Sequence, residues 1–202
     1  MGKPLYYKPA AILRNGWRGR TVTINRAFAH MEAKAAEWDA PLFLGDFGVS
    51  GSASRAGDYV SCLQDRLDDL LASGAQWNYT PNWNDRDKDG WNAEDFNILD
   101  RRGLPRPNFS ERPYPRAVAG VPGRFEFRKA AYPGQGHAME FTWEHRPERG
   151  VTEIFVPGRL FPQGSTLTIE GEGATCWRDE ARQLLICLAP RAGTIRVRMT
   201  AR

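Results

Sequence analysis

The chain has 202 residues, is 41% hydrophobic and 26% charged, and carries a formal net charge of +4, values ordinary for a globular protein of one or two domains with a real core. No apolar stretch approaches the roughly 18 residues a transmembrane helix needs, and the basic excess is mostly arginine scattered among acids, which argues against a nucleic-acid-binding stripe. The three cysteines, Cys62, Cys176 and Cys187, lack metal-ligand spacing, and no cofactor or metal is expected.

The opening MGKPLYYKPAAILRNGWRGR has no apolar core of the secretory type, so the expected compartment is the cytoplasm. From Arg20 to Trp38, apolar residues recur at Ile24, Ala27, Phe28, Met31 and Ala35, which is helical spacing. APLFLG follows as a continuous apolar run, the mark of a parallel strand covered on both faces. GSASRAGDYVSCLQDRLDDLLASG then places Tyr59, Val60, Leu63, Leu67, Leu70 and Leu71 on one helical face, with Gly74 as the stop. AQWNYT reads as the next strand, giving helix, strand, helix, strand.

Between Pro81 and Pro122 the chain turns to Asn, Asp, Arg, Gly and Pro, with Trp83 and Trp91 among them; a long connection of this kind in a compact protein is usually functional. Within it, DRDKDG resembles the start of a calcium loop, but the twelfth position from Asp85 is Phe96 where a glutamate belongs, so no calcium site is expected. His30, His137 and His145 are too dispersed for a metal site. Seven short alternating runs follow, from GRFEFRKA to TIRVRMT, and predict an antiparallel β-sandwich. Cys176 and Cys187 could face each other across a hairpin, but the expectation is two small buried thiols. The fold class is therefore α/β plus all-β, with domains at residues 1–120 and 121–202. Two strands cannot make a stable sheet alone, so the first domain looks incomplete.

APLFLGDFG, the helix after it and GAQWNYTPNWN…KDGWNAEDFNILD resemble the last two βα units of a glycoside hydrolase family 5 barrel, in the branch that includes endoglycoceramidase-like enzymes. RPNFSERPYPRAVAGVPGRFEF and the strand-rich tail with TEIFVP resemble that branch's junction and C-terminal β-sandwich. The resemblance implies a partial (β/α)8 TIM-barrel remnant, with strand 7 at Pro41–Gly45, strand 8 at Ala75–Tyr79 and strands 1 to 6 missing. It implies a carbohydrate or glycolipid substrate, and a further chain or segment to supply the rest of the barrel.

In such a retaining enzyme one carboxylate attacks the anomeric carbon while another, about 5 Å away, protonates the leaving oxygen. By the resemblance Asp46 stands at the nucleophile position, with Gly45 and Gly48 letting the backbone turn and the sugar approach. The family has glutamate there; one methylene fewer draws the carboxylate back by about 1.5 Å, and a 1 Å misplacement costs on the order of 100-fold. The acid/base glutamate belongs to the missing strand 4, so the isolated chain is expected to be inactive. Trp77 matches the tryptophan floor beneath the sugar, and Tyr7 the tyrosine that hydrogen-bonds the nucleophile. Trp83 and Trp91 would line the cleft. Plainer roles stay open: Asp46 as a helix cap or solvated loop acid, Trp77 as core. A different class of function stays open too, a non-catalytic accessory whose sandwich binds carbohydrate or packs on a partner.

Overall fold

The computed structural model describes residues 16–90, 93–132 and 135–201. It divides into two compact units between Ser110 and Glu111, so the chain from 111 to 120 belongs with the sandwich, not with the domain before it.

The first unit opens with helix α1 (Gly16–Glu37) and continues through strand β1 (Phe43–Phe47), helix α2 (Ala56–Asp69) and strand β2 (Ser73–Gln76). Ile24 and Phe28, four apart on α1, share a core with Val60, Leu63 and Leu67 of α2 and with Phe47 and Val49, as residues on one helical face must. Arg55 precedes α2 in the left-handed conformation, at φ 60°, and its guanidinium pairs with Asp58 in the first turn at 2.7 Å. Gly74 does not stop this helix. The positive φ falls on Leu71, while Gly74 lies inside β2, where a Cβ would meet Leu67 Cδ1 at 2.7 Å and the Phe47 ring at 3.1 Å. The glycine lets the strand press against α2.

β1 and β2 pair in parallel as a two-stranded sheet. The apolar run of β1 is not covered on both faces within this unit: Phe47 is buried but Phe43 is 61% exposed, and Trp38, just before the strand, is 71% exposed. Among the described residues each of the two strands pairs only with the other, so each has one edge with no described neighbour.

The second unit comprises β3 (Tyr114–Ala117), β4 (Gly120–Arg128), β5 (Ala138–His145), β6 (Thr152–Phe155), β7 (Thr166–Glu170), β8 (Thr175–Asp179), β9 (Leu184–Leu188) and β10 (Gly193–Thr200). They form two four-stranded sheets, ordered β4-β5-β10-β7 and β3-β6-β9-β8, with every pair antiparallel. This is the expected β-sandwich with one strand more than the sequence predicts. β3 escapes the pattern because Pro113 and Pro115 interrupt it; it pairs only with β6, and an edge strand tolerates proline. Phe141, Trp143, Ile154, Phe161, Leu185 and Val197 are fully buried in the core. Trp143 stacks on Phe141 with ring centroids 5.0 Å apart and an interplanar angle of 16°. Trp177 lies outside this core and is exposed.

Cys176 and Cys187 are directly opposite in the β8–β9 register and form a disulfide, with Cα atoms 4.2 Å apart. The expectation of two free thiols is thereby corrected: the short connection between β8 and β9 brings the pair into register, which spacing alone did not decide. Disulfides persist in oxidising compartments, so this bond stands against the cytoplasmic expectation. No helix among the described residues is long and apolar enough to cross a membrane.

Candidate functional site

Because β1 and β2 run parallel, their carboxyl ends lie side by side, with Asp46 the last residue but one of β1 and Trp77 the first beyond β2. Leu44 is opposite Gly74 and Phe47 is opposite Gln76. Three steps along β1 thus match two along β2, and the surplus residue sits at Gly45–Asp46 as a β-bulge. Bulges of this kind re-aim side chains, often beside active sites. Phe47 turns into the core and Asp46 is left exposed, so the carboxylate stands free of the packed side, at the strand end.

Trp77 begins the chain beyond β2. Its backbone N–H donates to the Phe47 carbonyl at 2.8 Å, which ties it to the residue following Asp46. A Cβ at Gly48 would lie 2.2 Å from the Trp77 carbonyl oxygen; only glycine permits this approach. At Gly45 a Cβ would meet nothing closer than the Phe43 ring, at 3.3 Å, so the close approach depends on Gly48. The Trp77–Asn78 peptide is cis. The indole is 36% exposed, and its Nε1–H donates to Glu94 Oε2 at 3.0 Å.

The loop from 77 to 110 is held down by a polar lattice. The Asp89 carboxylate accepts the N–H groups of Phe96 (2.7 Å) and Asn97 (3.2 Å), together with the Asn78 amide at 3.4 Å. These bonds give the DRDKDG segment a structural task. Among the described residues no group of three or more His, Cys, Asp or Glu could hold a metal ion. Buried Asn97 accepts from the Thr80 N–H at 2.5 Å and donates to the Leu99 carbonyl. The buried Asn108 side chain donates to the carbonyls of Val49 (3.0 Å) and Phe96 (2.7 Å), while the Asn108 backbone carbonyl accepts from Gln76 Nε2 at 2.6 Å. The Asp100 carboxyl is held below its usual range, first by the Leu104 N–H and then by the Arg102 N–H.

Trp83 is part of this lattice and not of an open cleft wall. It is only 7% exposed, its Nε1–H donates to Asp95 Oδ1 at 2.9 Å, and the Arg106 guanidinium lies 4.3 Å from its ring centroid. Arg106 in turn donates to Asp95 Oδ1 at 2.7 Å and to the Asn97 carbonyl at 2.7 Å. The face that would receive a sugar is thus covered by a cation from the same loop. Tyr7 and Trp91 lie outside the described residues.

The structure therefore brings Asp46 and Trp77 to adjacent strand ends and withdraws Trp83. Sequence reasoning missed Glu94, Asp95, Arg106 and Asn108. The only local signal was the loop's density of Asn and Asp, residues that satisfy their own turns; partners eleven or more residues apart are not written in a periodic pattern.

Residues 112–199 match the family described as Glycoside hydrolase family 5 C-terminal domain. The chain carries a glycoside hydrolase family 5 C-terminal domain. Comparison with curated proteins gives no match. Among solved structures, endo-glycoceramidase II from Rhodococcus sp. is 25% identical with a TM-score of 0.67, over 95% of this chain and 41% of that one. In its ganglioside GM3 complex the same enzyme gives 24% identity and a TM-score of 0.69, over 97% of this chain and 41% of that chain. Sterylglucosidase 1 from Cryptococcus neoformans is 17% identical with a TM-score of 0.69, over 90% of this chain and 31% of that chain. The chain thus spans about two fifths or less of the length of these structures. The family 5 domain coincides with the sandwich of β3 to β10, and the likenesses place the chain among glycoside hydrolase folds.

Proposed function

We propose that the first unit is the carboxyl-terminal end of a (β/α)8 barrel, and that the chain is the nucleophile-bearing part of a retaining β-glycosidase acting on a glycolipid or oligosaccharide. One observation carries the reading. Asp46, on a bulge at the end of β1, and Trp77, at the end of the neighbouring parallel strand, are joined by the Trp77 N–H to Phe47 carbonyl bond. Catalytic groups of such barrels lie at carboxyl strand ends, and exposed Phe43 and Trp38, with strands that among the described residues pair only with each other, fit a sheet that continues into further strands.

In the proposed reaction the Asp46 carboxylate attacks the anomeric carbon, forming a glycosyl ester as the leaving oxygen departs with a proton from a second carboxylic acid. Water then attacks the ester and gives up its proton to that same group. Trp77 supplies an apolar ring face for the C–H face of the sugar. The acid/base carboxylate is to come from outside these residues, so the 202-residue chain alone is to show no hydrolysis of an aryl β-cellobioside.

The test is a chimera in which this chain replaces the matching two fifths of the Rhodococcus endo-glycoceramidase II. Asp46→Glu should raise hydrolysis of an aryl β-cellobioside by on the order of 100-fold, because it returns the missing reach, and Asp46→Ala should abolish it. Equal rates for Asp46, Glu and Ala variants would overturn the assignment.

A further inference from the structure

We infer that Glu94 is a positioning residue for Trp77 and a specificity determinant for the sugar lying on that ring, a proposal that rests on the platform reading of Trp77. The loop returns Glu94 to this place by defined bonds. The Asn78 N–H donates to the Phe96 carbonyl at 3.4 Å, and the Ile98 N–H donates to the Asn78 carbonyl at 3.1 Å, so residues 94–98 run back along the exit of β2. On one side the Glu94 carbonyl accepts from the Asp89 N–H at 3.1 Å. On the other, Asp95 is clamped by Arg106 and Trp83. Glu94 is therefore anchored through its backbone and through its neighbour, and its carboxylate accepts from the Trp77 indole at 3.0 Å.

Two consequences follow from the chemistry of that bond. An indole is donor-only, and its ring turns about two side-chain torsions; a fixed acceptor at Nε1 selects one orientation and holds the indole by its edge. A carboxylate has two oxygens and about four acceptor sites, of which the indole uses one. The remaining sites lie at the edge of the platform, where they can accept the hydroxyl groups of a pyranose stacked on the ring. The two elements of sugar recognition, an apolar face and a rigid charged acceptor at its rim, are supplied by one hydrogen-bonded pair. Polar groups of this type reject an analogue lacking the matching hydroxyl more strongly than an apolar face does.

The experiment uses the full chain, labelled with nitrogen-15, and follows the indole N–H resonances. The Trp77 signal is assigned by its loss in Trp77→Phe, and the signal of buried Trp83, in the same unit and bonded to Asp95, reports whether that unit is folded in each variant. The Trp77 signal should move in Glu94→Gln and move further in Glu94→Ala. Cellobiose should perturb it with an affinity about tenfold weaker in Glu94→Ala than in the wild type, as expected for loss of a charge-assisted hydrogen bond. A Trp77 signal indifferent to both Glu94 substitutions overturns the positioning role. Equal cellobiose affinity in wild type and Glu94→Ala overturns the specificity role. If Glu94 governs the Trp77 signal but cellobiose perturbs it in no variant, the platform reading fails, and the specificity role fails with it, while the positioning role stands.

Discussion

Opening the Cys176–Cys187 disulfide should destabilise the sandwich by an amount that follows from its place in the chain. The bond closes a loop of 11 residues' separation, and the chain-entropy relation for a loop of that size gives about 2.8 kcal/mol at 25 °C from restriction of the unfolded state. For a unit of this size, each kcal/mol moves the midpoint by about 4–8 °C, so reduction should lower it by about 10–20 °C. The assay is thermal unfolding of the native and the reduced, alkylated protein, alongside Cys176→Ala/Cys187→Ala, with the midpoint of the sandwich followed by near-ultraviolet circular dichroism. Thiol titration of the unfolded, unreduced protein should find one thiol, that of Cys62, which lies outside the disulfide, and three after reduction. Three thiols before reduction, or a reduced form melting within 2–3 °C of the native one, a loss well under about 1 kcal/mol, would refute the reasoning.

Trp143→Ala should cost about 3–5 kcal/mol, because it empties the largest fully buried site of the sandwich and removes the stack on Phe141; urea unfolding of the variant checks this, and a loss below 1 kcal/mol would contradict the described core. His137 gives a pH dependence. Burial, then the charge of Lys129, lowers its pKa below 6.5, and its Nδ1 accepts the Ala130 N–H at 3.0 Å, which requires that nitrogen to be unprotonated. The stabilisation is therefore complete above the unfolded value and is lost as pH falls from about 6.5 through the lower folded value. Unfolding free energies measured from pH 7.5 to 5 should show this decline, and His137→Gln should flatten it.

The helices and the sandwich were legible because burial writes a period into the sequence. Ile24 and Phe28, or Val60, Leu63 and Leu67, recur at helical spacing whatever covers them. The run PLFLG reads as a strand covered on both faces, yet the described unit leaves Phe43 exposed: an apolar run records what a strand can bury, not what lies against it. β3 was illegible because prolines erase alternation while leaving an edge strand's outward groups unused. At the site, Asp46 and Trp77 could be singled out from the resemblance, and the bulge that aims Asp46 could not, since a register shift belongs to two strands at once. Trp83 looked like a cleft aromatic because nothing near it in sequence announces Arg106 as the cation on its face.

The order of strands also bears on how the chain is made. β10, the last strand, lies in the middle of its sheet, between β5 and β7. During synthesis the residues of seven sandwich strands leave the ribosome before it, and β5 and β7 must wait with facing edges open until residues 193–200 arrive to fill the gap. The partners of the disulfide, at 176 and 187, emerge earlier. The covalent clip on β8 and β9 can thus close on the growing chain before the sandwich does, leaving one half of the domain stapled while the other still lacks its central strand.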